Sequence, residues 1–103
     1  MEFRLESKIT DEFLILYPIG ELDVYNTKKF KEKSIKIYQK EKKDILFDCK
    51  ELEYLDSTGL GSLIFILKEV EKDGNKIVIE NLNNSIMKLF KITKLDDMFE
   101  IRG

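Results

Sequence analysis

Two β-rich runs open the chain, EFRLESKI over residues 2–9 and EFLILYPIG over 12–20, and the polar triplet Thr10-Asp11-Glu12 where they meet predicts an N-terminal hairpin. Pro18 has no N–H to give to a ladder, so it is expected near a strand end. From about Asn26 to Lys42 the register changes: Phe30, Ser34, Ile37 and Tyr38 fall on one helical face and lysines on the other, the pattern of an amphipathic helix. DILFD, residues 44–48, is short and almost continuously apolar, which suits a central strand covered on both faces.

The strongest element begins near Thr58. Leu60, Leu63, Ile64, Leu67 and Val70 recur at spacings of three and four, and the stretch ends at Asp73-Gly74 with glycine in the usual C-terminal position. KIVIE predicts another short strand, NSIMKLFKIT a helix capped by Asn83 or Asn84, and MFEI a last short strand. Strands alternating with helices imply parallel crossovers, while the hairpin adds an antiparallel edge. The predicted fold class is α/β, with a mixed β-sheet.

Composition narrows what such a fold can do. A chain of 103 residues with 43% hydrophobic content supplies one core, so residues 1–103 read as a single domain without repeat or linker. A net charge of −2 and a pI near 5.3 argue against general affinity for nucleic acid. No stretch approaches the apolar length of a membrane span, and the acidic, polar start resembles neither a signal nor a transit peptide, so a cytoplasmic location is expected. Histidine is absent, which removes the commonest general base and transition-metal ligand. The single cysteine, Cys49, follows an apolar run and reads as a small buried hydrophobe.

Several motifs fail for want of partners. Ser85 and Lys88 match S-x-x-K without the rest of that acyl-transfer site. Asn83-Asn84-Ser85 is formally a glycosylation sequon in a chain with no export signal. Asp96 and Asp97 lack converging ligands and read as a solvated turn. The lysine-rich stretch over residues 28–43 could be a docking surface, but its acids and helical period favour a solvated helix face. STGLGS lacks the spacing and lysine of a phosphate-binding loop.

Two segments remain, Gly20-Glu21-Leu22-Asp23 and Asp56-Ser57-Thr58-Gly59-Leu60-Gly61. Together they resemble the STAS domain family, specifically its stand-alone bacterial anti-sigma factor antagonists. That family's pattern is G-E-[LI]-D after the second strand and D-S-[ST]-G-L-G where a strand turns into the longest helix. The closing ENLNNSIMKLFKITKLDDMFEI also resembles the family's last helix and strand. Pro18 is a mild departure.

The resemblance implies phosphorylation on Ser57 by an anti-sigma factor serine kinase and removal of the phosphate by a serine phosphatase. The unphosphorylated form would bind the kinase and free the sigma factor. It implies a partner-facing rim of Asp23, Asp56, Thr58, Gly59, Leu60 and Gly61, with no catalytic residue, metal or cofactor, and a chain that is monomeric when free. Asp23 has a second reading, as a cap for the following helix. A STAS scaffold or a relative of transporter tail domains would share the motifs without controlling a sigma factor. A small hydrolase would need a base beside Ser57.

The residues themselves agree with the switch. Gly59 and Gly61 would fall in the first turn of a helix, where each costs about 0.5–1 kcal/mol relative to alanine. If the helix begins at Ser57 or Thr58, a hydroxyl stands in the positive field of its N-terminus, and glycines around it let another protein approach. A capping box is excluded, because an N-cap at Ser57 would want Glu or Gln at 60 and finds leucine.

Overall fold

The computed structural model describes residues 3–103. In chain order the elements are β1 (Arg4–Ile9), β2 (Phe13–Leu22), α1 (Thr27–Lys40), β3 (Asp44–Asp48), β4 (Leu52–Leu55), α2 (Ser57–Glu71), β5 (Ile77–Glu80), α3 (Asn84–Ile92), a one-turn 3-10 helix (Leu95–Asp97) and β6 (Glu100–Arg102). One six-stranded sheet has the order β1-β2-β3-β5-β6, and β4 pairs with β2. Its first pairing is antiparallel and the rest are parallel, so the expected mixed sheet with a hairpin and crossover helices is the one formed.

The hairpin closes through Thr10, whose N–H donates to the Phe13 carbonyl at 2.8 Å and whose hydroxyl oxygen accepts from the Phe13 N–H at 3.0 Å. Along β2, β3 and β5 alternate residues Leu14, Leu16, Ile45, Phe47, Ile77 and Ile79 join Phe30, Leu63, Ile66, Leu67, Ile86 and Phe90 in one core. The helices therefore cover one face of the sheet. DILFD is buried throughout its centre, as expected, but the second face has no helix over it. There Leu46 and Val78 lie among half-buried Phe13, Ile15 and Tyr17. Long cations lean across this face, with the Lys50 ammonium 5.8 Å from the Tyr17 ring centroid and the Arg102 guanidinium 5.9 Å from that of Phe13.

Pro18 departs from its expected place. It lies inside β2, opposite Leu5 of β1. The Gly20 N–H points away from β1, donating to the Glu51 carbonyl at 2.9 Å, and residue 18 has the same parity. On that side the β3 pairing ends at Leu16↔Phe47 and the β4 pairing begins at Gly20↔Leu52. The missing N–H thus falls where the neighbouring strand changes and no ladder bond is lost. The residue pattern had not separated β4, which is only four residues long and pairs across a register shift between Gly20 and Glu21. The last strand starts at Glu100 instead of Met98, because Leu95–Asp97 coils into the 3-10 turn first.

α2 stops as its sequence suggests. Gly74 adopts φ of +78°, the Asn75 N–H donates to the Val70 carbonyl at 3.0 Å and the Gly74 N–H to that of Glu71 at 3.0 Å, a Schellman end. At that end the two long helices are tied together. The buried Tyr38 of α1 donates its hydroxyl to Asp73 at 2.8 Å and accepts from Asn75 Nδ2 at 2.8 Å.

Candidate functional site

The site grows from one strand pairing. Leu22 ends β2 and Leu55 ends β4, the two are register partners on parallel strands, and the Asp56 N–H donates to the Leu22 carbonyl at 3.3 Å. Asp23 and Asp56 consequently leave the sheet side by side at its C-terminal end.

Asp56 is the N-cap of α2. Its extended backbone turns the carboxylate back over the first turn, where Oδ1 accepts from the Gly59 N–H at 3.0 Å and from the Thr58 hydroxyl at 2.6 Å. The Thr58 hydroxyl is the main reason that the Asp56 carboxyl titrates below its ordinary value. Backbone N–H groups of Gly59, Thr58 and Val24 act in the same direction against a contribution from burial. Val24 follows Asp23, so the β2–α1 turn adds to the favourable field at the Asp56 carboxylate.

Ser57 is the first residue of α2 and is exposed. Neither Ser57 nor Thr58 is the cap. A group carried on the Ser57 hydroxyl would stand beside the ionised Asp56 and near first-turn N–H groups with no intrahelical partner.

The structure divides the two glycines. Gly61 is exposed, and a Cβ there would meet nothing within 4 Å, so it keeps the helix surface open as expected. Gly59 corrects that expectation: it is buried, and a Cβ would collide with the Leu55 side chain and stand 2.9 Å from the Leu22 carbonyl oxygen. It lets α2 start against the ends of β2 and β4. Leu60, assigned to the rim on sequence, is likewise buried in the core. Both face the sheet because they lie on the inner side of a helix that begins at Ser57. The accessible rim consists of Ser57, Thr58 and Gly61, with half-buried Asp23 and Asp56 beside them.

Asp23 does not cap α1. Asn26 holds the N-cap position, but its side chain turns back, accepting from the Asp23 N–H at 2.9 Å and donating to the Glu21 carbonyl at 2.6 Å. Asp23 Oδ1 accepts from the Tyr25 N–H at 2.9 Å, and the Asp23 carbonyl accepts from the Asn26 and Thr27 N–H groups. These bonds fix a tight turn and keep Asp23 at the site end.

Beside Thr58 a groove runs between α1 and α2, lined by Lys28, Lys31, Gly61, Ser62 and Phe65. The Lys31 ammonium lies 4.3 Å from the Phe65 ring centroid. The sequence reading passed over Val24, Tyr25, Tyr54 and Phe65, which the structure leaves 60%, 91%, 49% and 43% exposed. A signal existed for three of them: Val24-Tyr25 is an apolar pair inside a turn, and Phe65 falls off the Leu60-Leu63-Leu67 stripe.

Three comparisons bear on the family and the fold. Residues 4–103 match the STAS domain family. The anti-sigma-B factor antagonist of Bacillus subtilis is 32% identical, over 98% of this chain and 92% of its own. That of Listeria monocytogenes is 33% identical, over 100% and 91%. The Bacillus cell fate determinant SpoIIAA, solved in its phosphorylated form, has the same fold, with a TM-score of 0.72 at 24% identity over 99% of this chain and 92% of that one. A match over nearly the whole chain, with full-length relatives above 30% identity, makes this protein a member of the STAS domain family.

Proposed function

We propose that this chain is an anti-sigma factor antagonist controlled by phosphorylation on Ser57. The unphosphorylated form binds an anti-sigma factor serine kinase in the cytoplasm and so frees a sigma factor; the phosphorylated form does not bind, and a serine phosphatase restores it. The free chain acts as a monomer. It is the substrate of these enzymes and has no catalysis of its own. The names of its relatives support the antagonist role. The observation that carries the switch is the exposed Ser57 hydroxyl on the first residue of α2, directly after an Asp56 carboxylate held ionised.

The switch needs no refolding. A phosphoryl group adds about −1.5 to −2 charge. At ~7 Å and an effective dielectric near 20, each unit like-charge pair costs about 2 kcal/mol before salt screening. That is enough for at least a tenfold loss of affinity for a partner fitted to the uncharged serine. Asp56 and Asp23 belong to the surface whose charge the phosphate changes.

The test is incubation with ATP and each histidine-kinase-like ATPase encoded in the same genome, followed by mass spectrometry and binding assays. Phosphate is expected on Ser57. Ser57→Ala should bind constitutively at little cost in stability, because Asp56 and not Ser57 caps the helix. Ser57→Asp should fold as well as the wild type, a negative charge being favourable at a helix start, yet bind more weakly. Phosphate on Thr58 with Ser57 unmodified, or full-affinity binding by Ser57→Asp, would reject the mechanism.

A further inference from the structure

Among the described residues the large exposed hydrophobics are Ile9, Val24, Tyr25, Tyr54, Phe65, Ile92 and Met98, and four of these seven, Val24 and Tyr25 on the turn after β2, Tyr54 near the end of β4 and Phe65 on α2, belong to the elements that meet at Ser57. Val24 and Tyr25 occupy the turn that follows Leu22, whose carbonyl accepts the Asp56 N–H. Tyr54 precedes the last residue of β4 and is the register partner of Glu21. Phe65 shares the outer stripe of α2 with Ser57 and Gly61, at intervals of four residues, and walls the groove beside Thr58.

Large aromatic side chains held in water by a rigid scaffold lose little conformational freedom on binding and bury a large area. Interfaces draw most of their energy from a few such residues surrounded by a polar rim. Here the rim on the strand-end side is acidic, with Glu21 and Glu53 exposed beside Asp23 and Asp56, whereas the α1 side carries Lys28 and Lys31.

We propose that Tyr25 and Phe65 are the anchor residues of the partner interface, one on the turn between β2 and α1 and one on the outer stripe of α2, and that Gly61 is the open floor on which the partner seats between Phe65 and the phosphoacceptor. The inference rests on the reading of Ser57 as the target of an anti-sigma factor kinase, and that kinase is the occupant. Its complementary surface offers apolar recesses for the two rings and basic groups over the Asp23–Asp56 edge. Affinity and phosphorylation are thereby separated: the anchors hold the kinase, and Ser57 receives the phosphate.

The probe is the ATPase of the same genome that phosphorylates Ser57. Tyr25→Ala and Phe65→Ala should each weaken its binding by at least about tenfold. They should raise KM for phosphorylation with kcat kept within about twofold, the signature of lost uniform binding. Urea midpoints should match the wild type. Ile92→Ala and Met98→Ala, also exposed but elsewhere, should leave affinity unchanged. If Phe65→Ala proves unstable, Tyr25→Ala carries the test, since its ring is almost wholly in solvent. Unchanged affinity and KM in the anchor variants, with Ser57 still phosphorylated, would overturn the inference and leave the proposed function standing. Equal losses at Ile92 or Met98 would also overturn it. A genome in which no such ATPase modifies Ser57 would remove both.

Discussion

Gly59 lies so close to the Leu22 carbonyl that a Cβ added at 59 would stand 2.9 Å from its oxygen. That oxygen cannot retreat freely, because it also accepts the Asp56 N–H. Gly59→Ala should therefore destabilise the fold by about 1–3 kcal/mol through overpacking. Gly61→Ala, with open space around it, should stabilise by about 0.5–1 kcal/mol through helix propensity. Urea unfolding of the two variants would read opposite signs. A stabilised Gly59→Ala would show that α2 is free to ride away from β2.

Asp56 makes stability depend on pH in a defined direction. A carboxyl held below its ordinary value of 3.8 contributes stability that is fully present above that value and is lost as pH falls through the lower folded one. Asp56→Asn keeps a capping oxygen and loses the charge. It should be less stable than the wild type at neutral pH, with the gap closing as pH falls below the ordinary carboxyl value and through the lower folded one. Asp56→Ala, which also loses the cap, should cost about 1 kcal/mol at neutral pH. A gap between wild type and Asp56→Asn that stays constant across the acid range would contradict the assignment.

Thr58 supports the carboxylate. Removing its hydroxyl in Thr58→Ala should raise the Asp56 titration toward the ordinary value, which carbon-detected NMR of the carboxyl would follow. Phosphorylation on Ser57 should persist in this variant. An unmoved Asp56 titration would mean that the 2.6 Å bond is not the dominant influence on it.

Tyr38→Phe removes the hydroxyl that joins Asp73 and Asn75 and leaves the ring in the core. The expected cost is about 1–2 kcal/mol, since two polar groups lose a shared partner. Hydrogen exchange should then rise at the C-terminal ends of α1 and α2 before it rises near Ser57. Faster exchange at Ser57 first would reverse the proposed order of local strength.

Cys49 should be inert. Burial pushes its thiol up to about 12, with the Asp48 charge adding to the effect, so almost no thiolate exists at pH 8. Iodoacetamide is expected to leave the native chain unmodified and to alkylate it fully in urea. Rapid native labelling would show that the end of β3 opens on its own.

What the sequence disclosed follows from how local each signal is. The stripe of α2, the Gly74 end and the apolar centre of β3 each depend on a periodic pattern or a single conformational need, and each was found where expected. Ile66, off the predicted stripe, is fully buried because the inner face of α2 is broader than that stripe. The short β4 and the place of Pro18 depend on which strand lies alongside β2, a long-range fact that no window of residues contains. At the site, a helix start at Ser57 or Thr58 was legible, but its cap, Asp56, was not. The separate duties of Gly59 and Gly61 were not, because glycine looks the same whether it admits a partner or a strand end.

The hairpin and the parallel crossovers also decide where the chain's two extremities lead. Arg4 pairs with Ile19 on one edge of the sheet, and Arg102 pairs with Glu80 on the other. Since β1 runs antiparallel to β2 while β6 runs parallel to β5, the first strand starts toward, and the last strand ends toward, the end that carries Ser57. An affinity tag or fused module joined before β1 or after β6 would place its linker at the end of the sheet that carries Ser57. With the proposed partner surface at that end, sensor-chip attachment, pull-downs and two-hybrid fusions made through either strand are expected to under-read the affinity. A dye or tether at the exposed Glu71, at the far end of α2, is the neutral handle.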